Sequence, residues 1–457
     1  MSAKRVVFIA LAAICVVSPI LAQSDDLFTP ASISNFRFNF LNPGGRATAM
    51  GNAFIAQGND ATGSEINPAG LLFIPKPMLF AEYRYFKNTS THAYDADGNQ
   101  VIYRDFEDIV HSPTFISYVH PTKNWAFAVY RQELANFQSE YSNQSFQIPD
   151  PPPGYNVWVM NRQSVKLDFK LINWGATISR RLHETFGVGF SVRLAQMDFE
   201  AREQVDFDSA AWPPQVDLSF MRTDPVGSPG NYLLMDDSDY QVSFVAGFQY
   251  KPAHYLSLGG VYRYGEKHKV STIFFDNMSR FNFSTGQYDD LRSVIEEFEI
   301  DVPDRIGFGV SLTPTDTFTF NLDVVYITYE DLNDQFRAAI NPLAQGGQDN
   351  SGRFFGWENG TEIRLGGEYT IPFGATDSFS LRAGYYRDAD PSIHYLGGAD
   401  AAPDLLYRVS NPAVGDDDHV TFGVGMVIFR NLQIDVAYDW GEYRKYFAAS
   451  VMYNFGD

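Results

Sequence analysis

Apolar and polar residues alternate with a period of two in many short segments of this sequence. Near the C-terminus, Leu432, Ile434, Val436, Tyr438 and Trp440 are separated by Gln433, Asp435, Ala437 and Asp439. Successive side chains of a β-strand point to opposite faces, so this spacing predicts a strand with one apolar and one polar face. The same pattern recurs at 240–250, 318–326, 379–385 and 447–455. We therefore predict an all-β protein.

The alternating segments number about fourteen, and the connections between them differ in length. The segments lie near 77–87, 113–120, 124–138, 162–181, 184–203, 239–251, 254–273, 296–313, 316–330, 361–372, 377–388, 418–429, 431–440 and 444–455. Short connections such as 121–123 and 252–253 alternate with long ones such as 88–112, 204–238 and 274–295. Short turns at one end and long loops at the other are typical of antiparallel outer-membrane β-barrels.

A soluble β-sandwich or propeller would also show alternating strands and turns. Aromatic residues favour the membrane barrel, because they flank the predicted strands where interfacial girdles are expected. Examples are the pairs Tyr240 and Tyr250, Phe318 and Tyr326, and Trp440 and Phe455. We therefore predict a transmembrane antiparallel barrel of about fourteen strands.

The N-terminus reads as a secretory signal peptide. Lys4 and Arg5 precede an apolar run, and Ala22 stands at the expected cleavage position; we assign residues 1–22 to the signal. No later stretch has 18 consecutive apolar residues, so no transmembrane helix is predicted. Cys15 is the one cysteine, which excludes an internal disulfide scaffold. The formal net charge of −21 makes nucleic-acid binding an unlikely class.

Glycines and charges recur on the predicted inward faces of the strands. The glycines are Gly187, Gly189, Gly259, Gly307, Gly309, Gly366, Gly423 and Gly425, and the charged residues are Arg193, Arg263, Arg305, Arg364, Arg382, Asp323, Glu368 and Asp435. Repeated glycine indicates either a body lying close to the wall or simple barrel curvature. Charges are normal in a polar lumen and could equally anchor a plug.

The segment before the first strand is rich in small residues and mostly does not alternate. It contains Gly45-Arg46-Ala47, Asp60-Ala61-Thr62 and Asn67-Pro68-Ala69. In this position the pattern resembles the N-terminal hatch of the FadL/TodX family. The resemblance implies a hatch (plug) at 23–76 inside a fourteen-stranded barrel at 77–457. It also implies hatch roles for Gly45, Arg46, Asp60, Asn67, Pro68 and Ala69, although Asn67-Pro68 could be an ordinary turn.

Further positions follow from the same resemblance. In the family the N-terminus reaches a hydrophobic pocket, so Phe36, Phe38 and Phe40 are candidate ligand-binding residues, unless they form a short strand. Trp212, Phe220, Phe274 and Phe275 are candidates for ligand capture on the long loops, or they pack the loops together. The family's third-strand kink would fall at 134–137, where the alternation fails. A second phase slip at Leu171 and Ile172 predicts a β-bulge.

The function implied is passive transport of long-chain fatty acids or other hydrophobic small molecules across the bacterial outer membrane. The alternative is a PorV-like docking barrel in protein secretion, since that group resembles the same family. No nucleophile motif stands on a strand–turn–helix, so no enzyme is predicted, and we expect no cofactor and no metal. The expected partners are a hydrophobic ligand, outer-membrane lipid and lipopolysaccharide, with the protein a monomer.

Overall fold

The computed structural model describes residues 40–97, 100–147, 159–206, 230–275, 281–282, 287–288, 294–332, 355–373, 376–391, 394–395 and 415–456. The strands are β1 (Met78–Asp97), β2 (Gln100–Pro121), β3 (Trp125–Ser142), β4 (Phe146–Gln147), β5 (Val159–Met160), β6 (Arg162–His183), β7 (Phe186–Asp206), β8 (Gly230–Ala253), β9 (Leu256–Tyr264), β10 (Lys267–Phe275), β11 (Phe281–Asn282), β12 (Gln287–Tyr288), β13 (Val294–Asp301), β14 (Arg305–Thr315), β15 (Phe318–Ile327), β16 (Phe355–Gly356), β17 (Gly360–Phe373), β18 (Asp377–Asp388), β19 (His394–Tyr395), β20 (Asp417–Ile428), β21 (Leu432–Trp440) and β22 (Arg444–Asn454). The helices are α1 (Gly45–Ala49), α2 (Gly63–Ile66) and two 3-10 helices, Pro68–Phe73 and Tyr329–Asp331. None of the helices within these ranges is long and apolar enough to cross a membrane.

Fourteen strands close into one antiparallel barrel. Around the wall the order is β1, β2, β3, β6, β7, β8, β9, β14, β15, β17, β18, β20, β21 and β22, and β22 pairs with β1 to close it. Short turns join the strands at one end of the barrel, the short-turn end, and the longer connections lie at the long-loop end. The predicted fold class and strand count are confirmed.

Two of the long strands of the wall are interrupted at neighbouring positions. β9 and β10 are separated at 265–266, and β13 and β14 are separated at 302–304. On the long-loop side of these gaps, β10 continues the line of β9 and β13 continues the line of β14. A Cβ on Gly265 would overlap the carbonyl of Val302. Only glycine allows the two chains to approach this closely.

The predicted 88–112 loop is wrong. β1 and β2 keep pairing through this stretch as far as Asp97 and Gln100. The chain therefore makes a long hairpin here, with Asp97 and Gln100 as its last paired residues.

The predicted bulge was assigned to the wrong strand. β6 keeps one register with β7 through Leu171 and Ile172. The extra residue is Leu134 on the facing strand β3, where pairing with β6 shifts between Glu133 and Ala135. An insertion in one strand disturbs the apparent pattern of both, so alternation alone does not say which strand holds it.

Candidate functional site

The segment 40–76 fills the short-turn half of the barrel lumen, and we call it the hatch. Apart from a few positions it is buried, and it hydrogen-bonds to inward side chains on many sides of the wall. Gly44 N–H donates to Glu82 on β1 at 3.0 Å, and Gly45 N–H donates to Ser450 on β22 at 3.1 Å. On the opposite side, Gln249 on β8 donates to the Ala56 carbonyl at 2.6 Å.

The inward glycines lie where the hatch touches the wall. A Cβ on Gly259 would come 2.7 Å from the Ile55 carbonyl oxygen, and one on Gly309 would come 2.9 Å from the Ala56 nitrogen. The same holds for other predicted glycines: Gly187 faces Leu72, Gly189 faces Pro68, Gly307 faces Ile55, Gly366 faces Met50 and Gly423 faces Ala49. Of the two explanations left open by the sequence, a body close to the wall is therefore correct for these glycines. Gly425 differs, since it faces Arg382 and Asp435.

A buried ion-pair network ties the first hatch helix to the wall. Arg46 donates two hydrogen bonds to Glu368 on β17, at 2.9 and 2.6 Å. Glu368 also accepts from Arg382 on β18 at 2.5 Å, and Arg382 reaches Asp435 on β21 at 2.8 Å. We call Arg46, Glu368, Arg382 and Asp435 the basal latch. Burial raises the pKa of the Asp60 carboxyl, a hatch group near this latch, although the positive charge of Arg46 acts against the rise.

A second network holds the other side of the hatch. Glu65 in α2 accepts a hydrogen bond from Tyr130 on β3 at 2.7 Å, and it lies 3.3 Å from Arg193 on β7. Arg263 on β9 lies 3.6 Å from the same carboxylate. Sequence reasoning missed Glu65. As the one acidic residue between Asp60 and the first strand, it could have been paired with the inward arginines.

Asn67 has an extended backbone and caps the 3-10 helix that begins at Pro68. The Asn67 amide donates to the Ile55 carbonyl at 2.9 Å and to the Phe248 carbonyl on β8 at 3.0 Å. Its oxygen accepts from Ala69 N–H at 3.2 Å, and the Pro68 carbonyl accepts from Ser179 on β6 at 2.6 Å. These residues thus join two parts of the hatch to the wall.

Apolar side chains line one side of the lumen above the hatch and form what we call the lumen cluster. Its barrel and loop members are Leu134, Ala135, Phe137, Leu167, Phe169, Leu171, Ala195, Met197, Phe199, Met235, Val245, Val261, Val270, Val302, Val325, Ile327, Tyr329, Leu332, Trp357 and Ala389. The cluster continues into the hatch through Phe40, Met50, Phe54, Ile55 and Ile66. One apolar cluster therefore reaches from the barrel wall to the hatch.

The opposite side of the lumen carries a network of polar side chains beside a smaller apolar cluster that includes Phe86, Val110 and Tyr446. Tyr386 donates to Asp439 at 2.7 Å, and Arg444 donates to Tyr386 at 3.1 Å. His419 lies between Asp439 and Asp417, at 2.5 and 3.1 Å. An elongated molecule in this lumen would meet apolar side chains on one side and hydrogen-bonding groups on the other.

Phe40, the first described residue, belongs to the lumen cluster and packs beside a buried cation. The Arg305 guanidinium lies 4.1 Å from the centre of its ring, and Tyr329 stacks on it at 6.4 Å. Arg305 is buried, its Nε has no hydrogen-bond partner, and its side chain forms no ion pair with any described residue. A buried cation without a counter-charge is costly, so this position is suited to an anionic ligand group.

The wall has a seam beside the lumen cluster. Backbone pairing of β2 with β3 ends at Phe115 and Gln132, directly below the Leu134 bulge. Beyond it, β3 leaves the hairpin, and Gln144 N–H donates to the Tyr94 carbonyl of β1 at 2.8 Å. Ser112 of β2 still donates to Glu133 of β3 across the seam. The irregularity predicted at 134–137 is thus present.

The remaining predicted ligand residues are only partly described. Phe36, Phe38, Trp212 and Phe220 lie outside the described residues. The backbones of Phe274 and Phe275 pair with β8 at the end of β10, so they belong to a strand end and not to the loop. Ligand contact by these residues stays a prediction.

Comparison with known proteins gives one family and a consistent set of folds. The sequence profile described as "Outer membrane protein transport protein (OMPP1/FadL/TodX)" matches residues 28–446. A Pseudomonas aeruginosa FadL homologue aligns with TM-score 0.59 and 16% identity, covering 91% of this chain and 100% of that one. The Pseudomonas putida toluene transporter TodX gives 0.57 and 14%, covering 91% and 97%. The Ralstonia pickettii toluene transporter TbuX gives 0.54 and 12%, covering 92% and 100%. A search of curated protein sequences found no match.

Proposed function

This chain belongs to the OMPP1/FadL/TodX family of outer membrane transport proteins, and on that premise we propose that it takes up long-chain carboxylic acids. The family consists of passive outer-membrane channels for hydrophobic compounds, so the chain is an outer-membrane transporter and not an enzyme. The short-turn end accordingly faces the periplasm. What the proposal adds is the substrate: a fatty acid and not a neutral hydrocarbon.

The observation that carries this choice is Arg305. Toluene and other monoaromatic hydrocarbons, the compounds named for several of the related structures, carry no charge and need no cation. Arg305 is a buried guanidinium without a described counter-ion, and it lies against Phe40 at the edge of the lumen cluster. A long-chain acid would place its carboxylate at Arg305 and its chain along the cluster. A charge-assisted hydrogen bond is also stronger than a neutral one.

The proposed route has three steps. A fatty acid is captured at the long-loop end, where Trp212 and Phe220 of the loops and Phe274 and Phe275 at the end of β10 are the candidate contacts. It then moves to the lumen cluster, where Phe40, with Phe36 and Phe38, contacts it. Rearrangement of the hatch releases the ligand, and the β2–β3 seam beside Leu134 offers a sideways exit into the membrane.

The test is direct ligand binding to purified protein by titration calorimetry, with oleate and toluene as probes. We expect oleate to bind, and Arg305→Gln to weaken its binding about tenfold or more, because a charge-assisted hydrogen bond is lost. Toluene binding should change by less than about twofold, since it makes no such bond. Arg387→Gln is the matched control, because Arg387 is exposed and pairs with Asp418 on the outside.

Two results would contradict the proposal at different levels. Tighter binding of toluene than of oleate, unchanged by Arg305→Gln, would overturn the choice of carboxylate and leave a hydrocarbon channel. Liposomes containing the protein that take up neither probe faster than empty liposomes would overturn transport of either class. Co-purification of a stoichiometric exported protein in that case would favour the docking-barrel alternative, which the related structures do not support.

Contacts with outer-membrane lipid and lipopolysaccharide, and a monomeric state, are part of the same proposal. Its support is the belt of exposed apolar side chains on the outer wall, which includes Phe320, Leu322 and Val324. Such a belt needs lipid around it.

A further inference from the structure

A groove of about 610 Å³ lies on the outer, lipid-facing surface of the wall, across β6, β7, β8, β9 and β14. Its volume is in the range of sites that bind small molecules. It is separate from the lumen, because its side walls are outward-facing residues such as Phe190 and Phe308, which are 42% and 60% exposed.

Two rows of side chains, read across the strands, form the groove. The lower row runs through the paired positions Arg180, Val188, Phe248, Gly260 and Phe308. The upper row runs through Ile178, Phe190, Ala246, Tyr262 and Ile306. Each row therefore contains large apolar residues with one small residue near its centre.

The two small residues create the depression. The outward neighbours Phe244, Phe248 and Tyr262 are bulky, whereas Ala246 leaves the backbone close to the surface and Gly260 is buried beneath a neighbouring side chain. The ring of Phe248 lies where a Cβ on Gly260 would stand. Phe190 and Phe244 stack at 5.7 Å beside the depression. The floor is thus the Ala246 methyl group and the Phe248 ring that covers Gly260, and the rims are aromatic.

One end of the groove is charged. Arg180 and Trp125 are paired neighbours where β3 begins and β6 nears its end, at the periplasmic rim. The Arg180 guanidinium lies 5.1 Å from the centre of the Trp125 ring, and no described carboxylate pairs with it. A stacked guanidinium keeps its edge free, and that edge can bind a phosphate through two parallel hydrogen bonds.

The length of the groove suits a lipid chain. Four strand spacings separate β6 from β14, which is about 19 Å at roughly 4.8 Å per spacing. One leaflet of the hydrocarbon core is about 15 Å deep, half of roughly 30 Å. Because barrel strands tilt by about 35–45°, rows that run across them rise obliquely from the periplasmic rim toward the middle of the membrane. A chain in the groove would therefore start at the headgroup level and end near the midplane.

We propose that this groove is a binding site for one anionic glycerophospholipid of the periplasmic leaflet. One acyl chain lies over Ala246 and the Phe248 ring, between the aromatic rims. The phosphate binds Arg180, and Trp125 holds the guanidinium in place. The site is independent of the lumen route, since it lies on the other face of the wall.

The test is native mass spectrometry of purified protein with palmitoyl-oleoyl phosphatidylglycerol added, and with the diacylglycerol of the same chains as the uncharged match. We expect one phosphatidylglycerol to stay bound. Ala246→Phe fills the groove and should lower the bound fraction about tenfold or more. Arg180→Gln should lower it about tenfold, to the level of diacylglycerol, because a charge-assisted contact is lost.

Matched controls separate this site from general lipid contact. Val424→Phe enlarges a lipid-facing residue on β20, and Arg430→Gln removes an exposed arginine at another periplasmic turn. Both should bind phosphatidylglycerol as the unaltered protein does. The site would be overturned if Ala246→Phe bound as much phosphatidylglycerol as the unaltered protein. It would also be overturned if Val424→Phe lost as much bound lipid as Ala246→Phe. Equal retention of diacylglycerol and phosphatidylglycerol would overturn the role of Arg180. Oleate titration of each variant reports on the lumen separately, so either proposal can fail without the other.

Discussion

The short-turn half and the long-loop half of the lumen are built from the same strands with different inward residues. β7 shows the change along one strand: Gly187 and Gly189 face the hatch, Arg193 comes next, and Met197 and Phe199 face the lumen cluster. The short-turn half combines a close approach of the hatch to the wall backbone with paired charges. The long-loop half contains large apolar side chains.

This difference separates sealing from ligand storage. Glycine brings the hatch to within contact of the wall, and directional ion pairs fix its orientation. The free energy gained by apolar contact has no preferred direction and grows with the area buried, so the long-loop half can accept ligands of varied shape. The two halves should therefore respond differently to substitution.

Removing the centre of the basal latch should have the largest effect. Glu368→Ala leaves Arg46 and Arg382 buried without their shared partner, which should cost about 3–5 kcal/mol of hatch and barrel stability. We expect a lower unfolding temperature and an ion leak in planar bilayers. Glu107→Ala breaks an exposed pair with Lys87 and should leave both unchanged. A sealed, fully stable Glu368→Ala protein would show that charge pairing does not hold the hatch.

Shortening a side chain in the long-loop half should weaken ligand binding without opening the seal between the hatch and the wall. Phe169 is fully buried in the lumen cluster and packs edge-to-face on Phe199 at 5.9 Å. Phe169→Ala removes contacts of about 3 kcal/mol, and oleate should bind at least about tenfold more weakly. The bilayer leak should stay at the unaltered level. Phe320→Ala, on the lipid-facing surface, is the control. A leak in Phe169→Ala would remove the distinction between the halves.

Glycine substitution tests the close approach of the hatch. A Cβ on Gly259 would lie 2.7 Å from the Ile55 carbonyl oxygen and 3.0 Å from the Ala56 Cα, so Gly259→Ala should cost about 1–3 kcal/mol. Gly367→Ala is the matched control, because its Cβ would meet no atom closer than 3.9 Å. Thermal unfolding of the two variants should differ clearly. Equal unfolding temperatures would mean that the glycines serve curvature alone.

The seam should give the smallest effect. Ser112→Ala removes the Ser112–Glu133 hydrogen bond across it, worth about 1 kcal/mol. Amides of β3 beyond Leu134 should then exchange hydrogen roughly fivefold faster. Thr91→Ala, within the paired β1–β2 hairpin, should leave those amides unchanged. Unaltered exchange in Ser112→Ala would show that this bond does not close the seam.

Much of the wall could be predicted from the chain, because strand alternation is a local property. The fourteen strands, the outward aromatic residues and the inward glycines were all visible as period-two patterns. The β3 irregularity was found, whereas the bulge at Leu171 and Ile172 was placed on the wrong strand. The hatch boundaries at 23 and 76 and the ligand roles of Phe36, Phe38 and Phe40 stay predictions.

Strand alternation and composition are enough to assign which residues face in, which face out, and that a glycine-rich segment precedes the barrel. Tertiary structure alone decided which inward charge meets which hatch residue. Arg46 and Glu368 are 322 positions apart, and only barrel closure brings them together. The seam, the placement of Arg305 away from any described counter-ion and the outer groove have the same origin, because register between strands is a non-local property.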